Sequence, residues 1–294
     1  MDEPLHCYRH PGRETYVSCS ECGRGICPDC MVFAPVGIRC PDHASVGGGA
    51  KPRPARTARQ MQMTFARHPA PVTVVLIVAN LVVFVAMLAT GGSVGNTFQS
   101  SLFQNGALVG ALVGQGDWWR LFTATFLHAS IIHVALNMFV LWVIGTVVEQ
   151  ALGSWRFILI YLVSGLAGSA GALLIPLSHS GGQFTMQYNP FVATVGASGA
   201  IFGIMGSLLV LEYLQTGSLA GQAMAMIVVN LVIGFAVPNV SIGGHLGGLI
   251  GGILATYALV RTRYRRPNFL GPALVLLVGV LSVALALART RGRV

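Results

Sequence analysis

Seven apolar stretches, each close to the length needed to cross a lipid bilayer, fill most of the sequence after residue 70. They cover residues 71–90, 131–150, 155–176, 197–215, 219–237, 243–260 and 269–288. About 20 apolar residues are enough for a helix to span the hydrocarbon core. Only 9% of the residues are charged, against about 25% in an ordinary soluble domain. The sequence therefore predicts an all-α polytopic membrane protein with a six-helix core and a seventh, C-terminal transmembrane helix.

A cysteine-rich segment precedes the apolar stretches. All six cysteines lie within the first 44 residues, where cysteine and histidine form four pairs with two residues between partners: Cys7 and His10, Cys19 and Cys22, Cys27 and Cys30, and Cys40 and His43. Eight such ligands suit two tetrahedral zinc ions. The short intervals between the pairs cannot bury a core unaided, so we expect metal to hold this unit together.

Two alternatives stay open for this segment. A disulfide framework is less favoured, because histidine alternates with cysteine at ligand spacing and no export signal precedes the segment. His6, next to Cys7, competes with His10 as a ligand. Sites closed by four protein ligands have no open coordination position, so we expect both zinc ions to be structural.

The paired ligands resemble the cross-braced zinc fingers of the B-box and RING type. In those fingers the first and third pairs share one ion, and the second and fourth pairs share the other. The resemblance implies one site of Cys7, His10, Cys27 and Cys30, and a second site of Cys19, Cys22, Cys40 and His43. It also implies that this unit is a module for binding a protein partner and is not itself an enzyme.

Residues 45–70 have the composition of a flexible, basic linker. Basic residues beside a membrane span favour the cytoplasmic side, which predicts a cytoplasmic zinc-binding domain. The arginines that follow residue 260 then also lie inside, whereas Arg289, Arg291 and Arg293 fall outside. Either the last stretch does not span the membrane, or the positive charge that follows it is too small to override the orientation set by the earlier stretches.

The net charge of +9 comes from 17 arginines and one lysine and lies mostly outside the apolar stretches. This placement makes nucleic acid a poor explanation for the charge, and we expect no nucleic-acid partner. The arginine bias, together with abundant alanine, glycine and valine, suggests a GC-rich bacterial genome.

The motif Gly196-Ala197-Ser198-Gly199 opens the fourth apolar stretch. The flanking glycines leave the Ser198 hydroxyl accessible, and serine becomes a nucleophile when a base takes its proton. His245, in the sixth stretch, is the candidate base. Glycines at positions 244, 248 and 252 form a flat helix face, on which a helix with glycines 199, 203 and 206 can pack. The alternative role for both residues is helix packing alone, but an ionisable group at membrane depth favours a function.

Further polar residues lie in the second apolar stretch and just before it. His133 and Asn137 are four residues apart, so both project from one helix face. With the backbone N–H of Ser198 they are candidate donors to an oxyanion; the alternative is that they only join helices. The connection before this stretch mixes glycine with apolar residues, ends in Trp118-Trp119-Arg120, and is typical of the membrane interface.

This joint pattern resembles the rhomboid intramembrane proteases over roughly residues 70–260. The residues that carry the resemblance are Trp119, Arg120, His128, His133, Asn137, Gly196, Ser198, Gly199, Gly244, His245 and Gly248, with Glu149, Gly153 and Tyr161 between the second and third spans. The resemblance implies a six-helix core whose dyad of Ser198 and His245 opens to water on the extracytoplasmic side. It also implies that Asn137 and His133 assist the oxyanion, with His128, Gly196 and Gly199 in support, while Trp119 and Arg120 stabilise the first loop.

Phe202 departs from the family pattern. Bacterial rhomboids often have a tyrosine four residues after the serine, whereas this chain has a phenylalanine. The aromatic ring that would stack on His245 is kept and the hydroxyl is lost. Because no carboxylate orients the histidine in this family, we expect the Phe202 ring to support the base.

The expected function is therefore hydrolysis of peptide bonds in or near the transmembrane helices of other membrane proteins. A catalytically silent rhomboid-like protein would bind such helices without cutting them, but would be expected to lack Ser198 or His245. A transporter would show matching interrupted helices, and no such pair is visible. The expected domains are a B-box-like double zinc-binding domain (1–44), the linker (45–70), the protease core (71–260), and a basic loop, seventh helix and tail (261–294). The expected partners are transmembrane substrates, the lipid bilayer and a cytoplasmic protein that binds the zinc domain.

Overall fold

The computed structural model describes residues 4–33, 37–44, 70–180, 183–185, 188–237, 240–262 and 269–292. These belong to two compact units, Met1–Thr64 and Phe65–Val294. The predicted linker lies outside the described residues, except for Ala70.

The first unit consists of two small hairpins and one short helix. Strand β1 (Leu5–His6) pairs with β2 (Glu14–Thr15), and β3 (Val32–Phe33) pairs with β4 (Ile38–Arg39), both antiparallel. Helix α1 (Pro41–Ala44) follows. Five cysteines and Ile26 form its buried cluster, so the predicted metal ligands occupy the place that an apolar core takes in a larger domain.

The second unit is mostly helical. It begins with α2 (Pro71–Ala89), α3 (Ser101–Gly106), β5 (Leu108–Val109), α4 (Gly110–Gln115), α5 (Arg120–Thr123), α6 (Ile131–Leu152) and α7 (Ser154–Leu174). It continues with β6 (Ser178–Ser180), β7 (Gln183–Thr185), β8 (Ala193–Thr194), α8 (Ser198–Thr216), α9 (Gln222–Ala236), α10 (Ile242–Arg261) and α11 (Leu270–Thr290). Six helices in the described part, α2, α6, α7, α8, α10 and α11, have the length and composition to cross a membrane. The chain is a multi-pass membrane protein.

Helix α9 is shorter than the predicted fifth span at 219–237. It has 15 residues and rises about 22 Å, less than the ~30 Å hydrocarbon thickness of a bilayer. The sequence explains both ends. Gly221 is extended before the first turn, and Val237, which precedes Pro238, is extended after the last.

Helix α6 changes its winding in the middle and ends on a buried carboxylate. Residues Leu141–Gly145 form a π-helical segment. The Glu149 carboxylate accepts hydrogen bonds from the N–H groups of Val72 (3.0 Å) and Thr73 (2.7 Å), and from the hydroxyls of Thr73 (2.7 Å) and Ser154 (2.6 Å). A negative charge at the first turn of a helix is favourable, so Glu149 joins α6 to the start of α2 and of α7.

Helices α7, α8 and α10 form the centre of the unit and approach closely at glycines. A β-carbon on Gly248 would lie 2.6 Å from the carbonyl carbon of Gly199, and one on Gly252 would overlap the backbone of Gly203. The glycine faces predicted for α8 and α10 thus meet. This contact places the first turns of the two helices side by side.

Candidate active site

Ser198 and His245 meet at the start of two adjacent helices. Ser198 is the first residue of α8, and His245 lies in the first turn of α10. The distance between Ser198 Oγ and His245 Nε2 is 3.0 Å, which is hydrogen-bonding distance. The sequence places these residues 47 positions apart, and the glycine contact between their helices brings them together.

The His245 ring is held by packing rather than by a carboxylate. The Phe202 ring stacks on it, with centroids 4.2 Å apart and planes inclined by 16°. Within the described part of the chain, Nδ1 of His245 has no hydrogen-bond partner. Ser241, at the residue before α10, accepts a hydrogen bond from the Gly244 N–H (3.1 Å) and fixes the first turn of the helix. The Phe202 ring and the capped turn together define where Nε2 points.

His133 faces the turn that leads into Ser198. Gly196 has φ +128°, and a β-carbon there would lie 2.8 Å from both Cε1 and Nε2 of His133. Only glycine allows this backbone conformation and this approach. The Ala129 N–H donates to Nδ1 of His133 (3.4 Å), which assigns the ring proton to Nε2. The Nε2–H therefore points to the Ser198 turn, where an oxyanion donor would be needed.

Asn137 lines the cavity, whereas His128 lies behind His133 and does not reach the cavity. The Asn137 amide donates to the His133 carbonyl (3.0 Å), and its second N–H is left for the cavity that it lines. His128 is fully buried behind His133, with ring centroids 5.1 Å apart in an edge-to-face arrangement. His128 does not line the cavity, so it can act on the site only by supporting His133.

A cavity of about 510 Å³ surrounds the serine and histidine. Its polar lining includes Ser198, His245, His133, Asn137, Thr194 and Asn230, and most of its remaining surface is apolar. Volume and lining suit an extended peptide segment with apolar side chains. Sequence reasoning missed Asn230 and Ser241, because a single asparagine or serine in an apolar stretch has no distinguishing local signal. The pattern Ser241-x-x-Gly244 at a helix start was a usable capping signal.

Arg120 and Trp119 bind the connection between α2 and α6. The buried Arg120 guanidinium donates to the carbonyls of Gln104 (2.9 Å) and Ala107 (3.0 Å) and pairs with Asp117 (2.9 Å). Trp119 Nε1 donates to the Asn105 carbonyl (3.3 Å). These bonds satisfy carbonyls at the end of α3.

The eight predicted metal ligands form two clusters in the first unit. Cys7, His10, Cys27 and Cys30 form one cluster, and Cys19, Cys22, Cys40 and His43 form the other; within each, all ligand atoms lie within 4.8 Å of one another. His10 Nδ1 is 3.4 Å from the sulfurs of Cys27 and Cys30, and His43 Nδ1 is 3.2 Å from that of Cys40. Ligand edges of about 3.3–3.8 Å follow from zinc–ligand bonds of 2.0–2.3 Å in a tetrahedron. The donor set and spacing fit zinc, whereas His6 is in neither cluster.

The thiols of the first cluster differ in acidity. Burial opposes ionisation of Cys7, but hydrogen bonds from the backbone and from His10 outweigh it and lower its pKa to about 6. Burial and the neighbouring thiols of Cys7 and Cys27 raise the pKa of Cys30 to about 11. Three thiols this close resist full ionisation until a cation is bound.

Comparison with known proteins gives consistent matches. The Rhomboid domain matches residues 115–262. The protein called Rhomboid protease GluP, from Bacillus subtilis (strain 168), is 38% identical over 193 residues, which cover 64% of this chain and 34% of GluP. YdcA from the same organism is 33% identical over 160 residues, 52% of this chain and 73% of YdcA. RHOMBOID-like protein 1 of Arabidopsis thaliana is 36% identical over 173 residues, 56% of this chain and 41% of the relative. The chain thus spans about a third of the length of GluP.

Proposed function

The chain belongs to the rhomboid family, and we propose that it is an intramembrane serine endopeptidase whose dyad is Ser198 and His245. The main support is the 3.0 Å distance between Ser198 Oγ and His245 Nε2, inside a cavity of a multi-pass helical bundle. Nucleophile and base within hydrogen-bonding reach are the signature of covalent catalysis. The name of its relative GluP, a rhomboid protease, supports the same activity.

In the proposed acylation step, Ser198 Oγ attacks the carbonyl carbon of the scissile bond while its proton passes to His245 Nε2. The carbonyl oxygen becomes an oxyanion, which accepts hydrogen bonds from the Ser198 N–H, His133 Nε2–H and the Asn137 amide. When the carbon–nitrogen bond breaks, His245 gives its proton to the leaving amine. An acyl ester on Ser198 remains.

Water completes the reaction in the second step. His245 takes a proton from a water molecule, whose oxygen attacks the ester carbonyl, and the proton returns to Ser198 Oγ as the ester bond breaks. No carboxylate is needed if Phe202 and the capped turn at Ser241 keep the imidazole in place. We assign Gly196 and Gly199 to close backbone approach, His128 to support of His133, and Trp119 and Arg120 to support of the first loop.

The proposed substrates are single transmembrane helices of other proteins, unwound where they are cut. We place the protein in the cell membrane, with the cavity open to the extracytoplasmic side and the N-terminal unit in the cytoplasm, as the basic linker favours. The seventh apolar helix α11 is proposed as a further span outside the six-helix core.

For the N-terminal unit we propose two structural zinc ions, one in each Cys₃His cluster, and a role in binding a cytoplasmic protein. The ions would replace an apolar core and take no part in hydrolysis. The likeness to B-box fingers supports the binding role.

A serine-reactive fluorophosphonate and a single-span substrate test the dyad together in reconstituted protein. We expect the wild type to cut the substrate and to be labelled at Ser198, and both Ser198→Ala and His245→Ala to lose cleavage and labelling. Ser207→Ala is the matched control, because Ser207 is a buried serine on the same helix outside the cavity. It should keep both activities.

The same experiment separates the protease from a silent rhomboid-like protein. A silent protein would bind the substrate helix, fail to cut it across several substrates, and remain unlabelled at Ser198. Cleavage or labelling that survives Ser198→Ala would place the nucleophile elsewhere and overturn the assignment.

A further inference from the structure

The last turn of α11 contacts the segment that leads to the catalytic serine. The Arg289 guanidinium lies over the Tyr188 ring, 4.5 Å from its centroid, a geometry in which cation and aromatic ring attract each other. Helix α11 lies beyond residues 115–262, the part of the chain that matches the Rhomboid domain. Neither the family match nor the proposed mechanism gives this helix a role.

One face of helix α11 packs against the rest of the unit as far as its last turns. Small or medium side chains on one face are buried: Gly271, Val275, Gly279, Ser282 and Ala286. A β-carbon on Gly279 would be 3.4 Å from the Val163 side chain of α7. At the C-terminal end of α11, a β-carbon on Gly114 of α4 would be 2.8 Å from the Thr290 carbonyl oxygen. Helix α11 therefore spans the height of α7 and ends beside α4.

Tyr188 links α11 to α4 and to the loop that contains Tyr188. A β-carbon on Gly110, the first residue of α4, would lie 3.2 Å from Cζ of the Tyr188 ring. Two residues later, the Pro190 carbonyl accepts a hydrogen bond from the Ala111 N–H (2.9 Å). Tyr188 is thus enclosed between α4 on one side and Arg289 on the other.

The segment from Tyr188 to Ser198 is then anchored at two further points. Strand β8 pairs with β5, with Thr194 opposite Leu108. The Gly196 N–H donates to the Ala124 carbonyl (2.9 Å), and Ser198 begins α8 two residues later. Leu108, Ala124 and Ala286 of α11 belong to one apolar cluster, against which Tyr188 packs. A shift of Tyr188 therefore reaches the turn that sets the serine and the oxyanion donors.

We propose that Arg289 is a positioning residue for Ser198, acting through Tyr188 and the segment 188–198. The proposal rests on the proposed protease function and adds the seventh helix to it. The cavity lining includes residues of α6 and α9 but none of α11. Loss of Arg289 should therefore impair the chemical step more than substrate binding.

The test compares four variants of the full chain in proteoliposomes. Removing the cation in Arg289→Ala should lower kcat about three- to thirty-fold with KM nearly unchanged, in proportion to the loss of a cation–π contact. Arg289→Lys keeps a cation over the ring and should restore most of kcat. Tyr188→Leu should lower kcat to a similar extent, and the double variant should be no worse than either single one.

Arg291→Ala is the matched control. It removes the same charge two residues further along, from an exposed side chain, and should leave kcat and KM as in the wild type. The rate of Ser198 labelling by a fluorophosphonate gives a second readout that needs no substrate. It should fall in Arg289→Ala and recover in Arg289→Lys. If Arg289→Ala proves poorly folded in a thermal unfolding assay, Arg289→Gln, which keeps most of the aliphatic stem, replaces it.

The outcomes distinguish the two proposals. A wild type that neither cuts nor labels would overturn the protease function and the positioning role together. A wild type that cuts, with Arg289→Ala equal to Arg291→Ala, would overturn the positioning role alone. An effect confined to KM, or an Arg289→Lys variant as slow as Arg289→Ala, would also reject it.

Discussion

Replacing Gly248 by alanine should separate the serine from the histidine. A β-carbon at this position would lie 2.6 Å from the carbonyl carbon of Gly199, whereas ordinary contact begins near 3.4 Å. The opposing atoms are backbone and cannot rotate away, so α8 and α10 must move apart by about 0.8 Å or more. Gly199 follows Ser198 directly, and Gly248 is one turn from His245. The 3.0 Å distance between Oγ and Nε2 would then exceed hydrogen-bonding range.

The expected loss of activity is much larger than the loss of stability. Overpacking lowers the free energy of unfolding by about 1–3 kcal/mol, and exchange of glycine for alanine inside a helix raises it by about 1 kcal/mol. A misplacement of about 1 Å at a reacting group lowers the rate by about 100-fold. We therefore expect Gly248→Ala to remain folded in a thermal unfolding assay and to cut a single-span substrate about 100-fold more slowly.

Gly279→Ala on α11 is the matched control. Its new β-carbon would meet the Val163 side chain at 3.4 Å, an ordinary contact, so both folding and activity should be preserved. If Gly248→Ala cut within about three-fold of the wild-type rate, the two helices would tolerate the added methyl group. The close backbone contact would then not be what sets the geometry of Ser198 and His245.

Four further variants test three other parts of the molecule. Glu149→Gln should lower the free energy of unfolding by about 2 kcal/mol, because an amide N–H would face the donors of Thr73; an unchanged melting temperature would show that the buried carboxylate is not required. Phe202→Leu removes the ring stacked on His245 and should lower kcat about ten-fold, while Phe202→Tyr keeps it; equal rates for both variants would contradict the stacking role. Cys40→Ser should reduce bound zinc, measured by mass spectrometry of the intact full-length protein, from two ions to one per chain; a wild type with no zinc would refute the metal sites.

The positions of the helices could be predicted because hydropathy is a local property. The fourth and sixth stretches, expected at 197–215 and 243–260, are helices Ser198–Thr216 and Ile242–Arg261. The glycine periodicity even predicted the contact that brings Ser198 to His245. Length alone overstated the fifth stretch, since the prediction ignored the helix-ending effects of Gly221 and Pro238.

Other features depend on contacts that no local pattern encodes. Glu149 receives three of its four hydrogen bonds from residues 76 and 77 positions away, so a resemblance could mark it but not explain it. Strands β5 and β8 have two residues each, too few for a period of two to be visible. In the N-terminal unit, spacing pointed to the eight residues that form the two clusters, whereas only the likeness to cross-braced fingers indicated how the pairs combine.

The π-helical segment in α6 sets the phase of the helix, which is the angle around its axis between the residues that face the cavity and the carboxylate that binds the start of α2. His133 and Asn137 lie before the segment and face the cavity, whereas Glu149 lies after it and faces the start of α2. Each residue turns an α-helix by about 100°, and a π turn accommodates one residue more than an α turn. Deleting one residue between Leu141 and Gly145 would let the π turn close into an α turn and would keep that phase, whereas inserting one more residue would turn Glu149 by about 100° away from its donors. Exchanging the exposed Trp142 in the same segment would leave that phase intact. The chain is therefore expected to accept substitutions here, and the loss of one residue, but to reject an insertion.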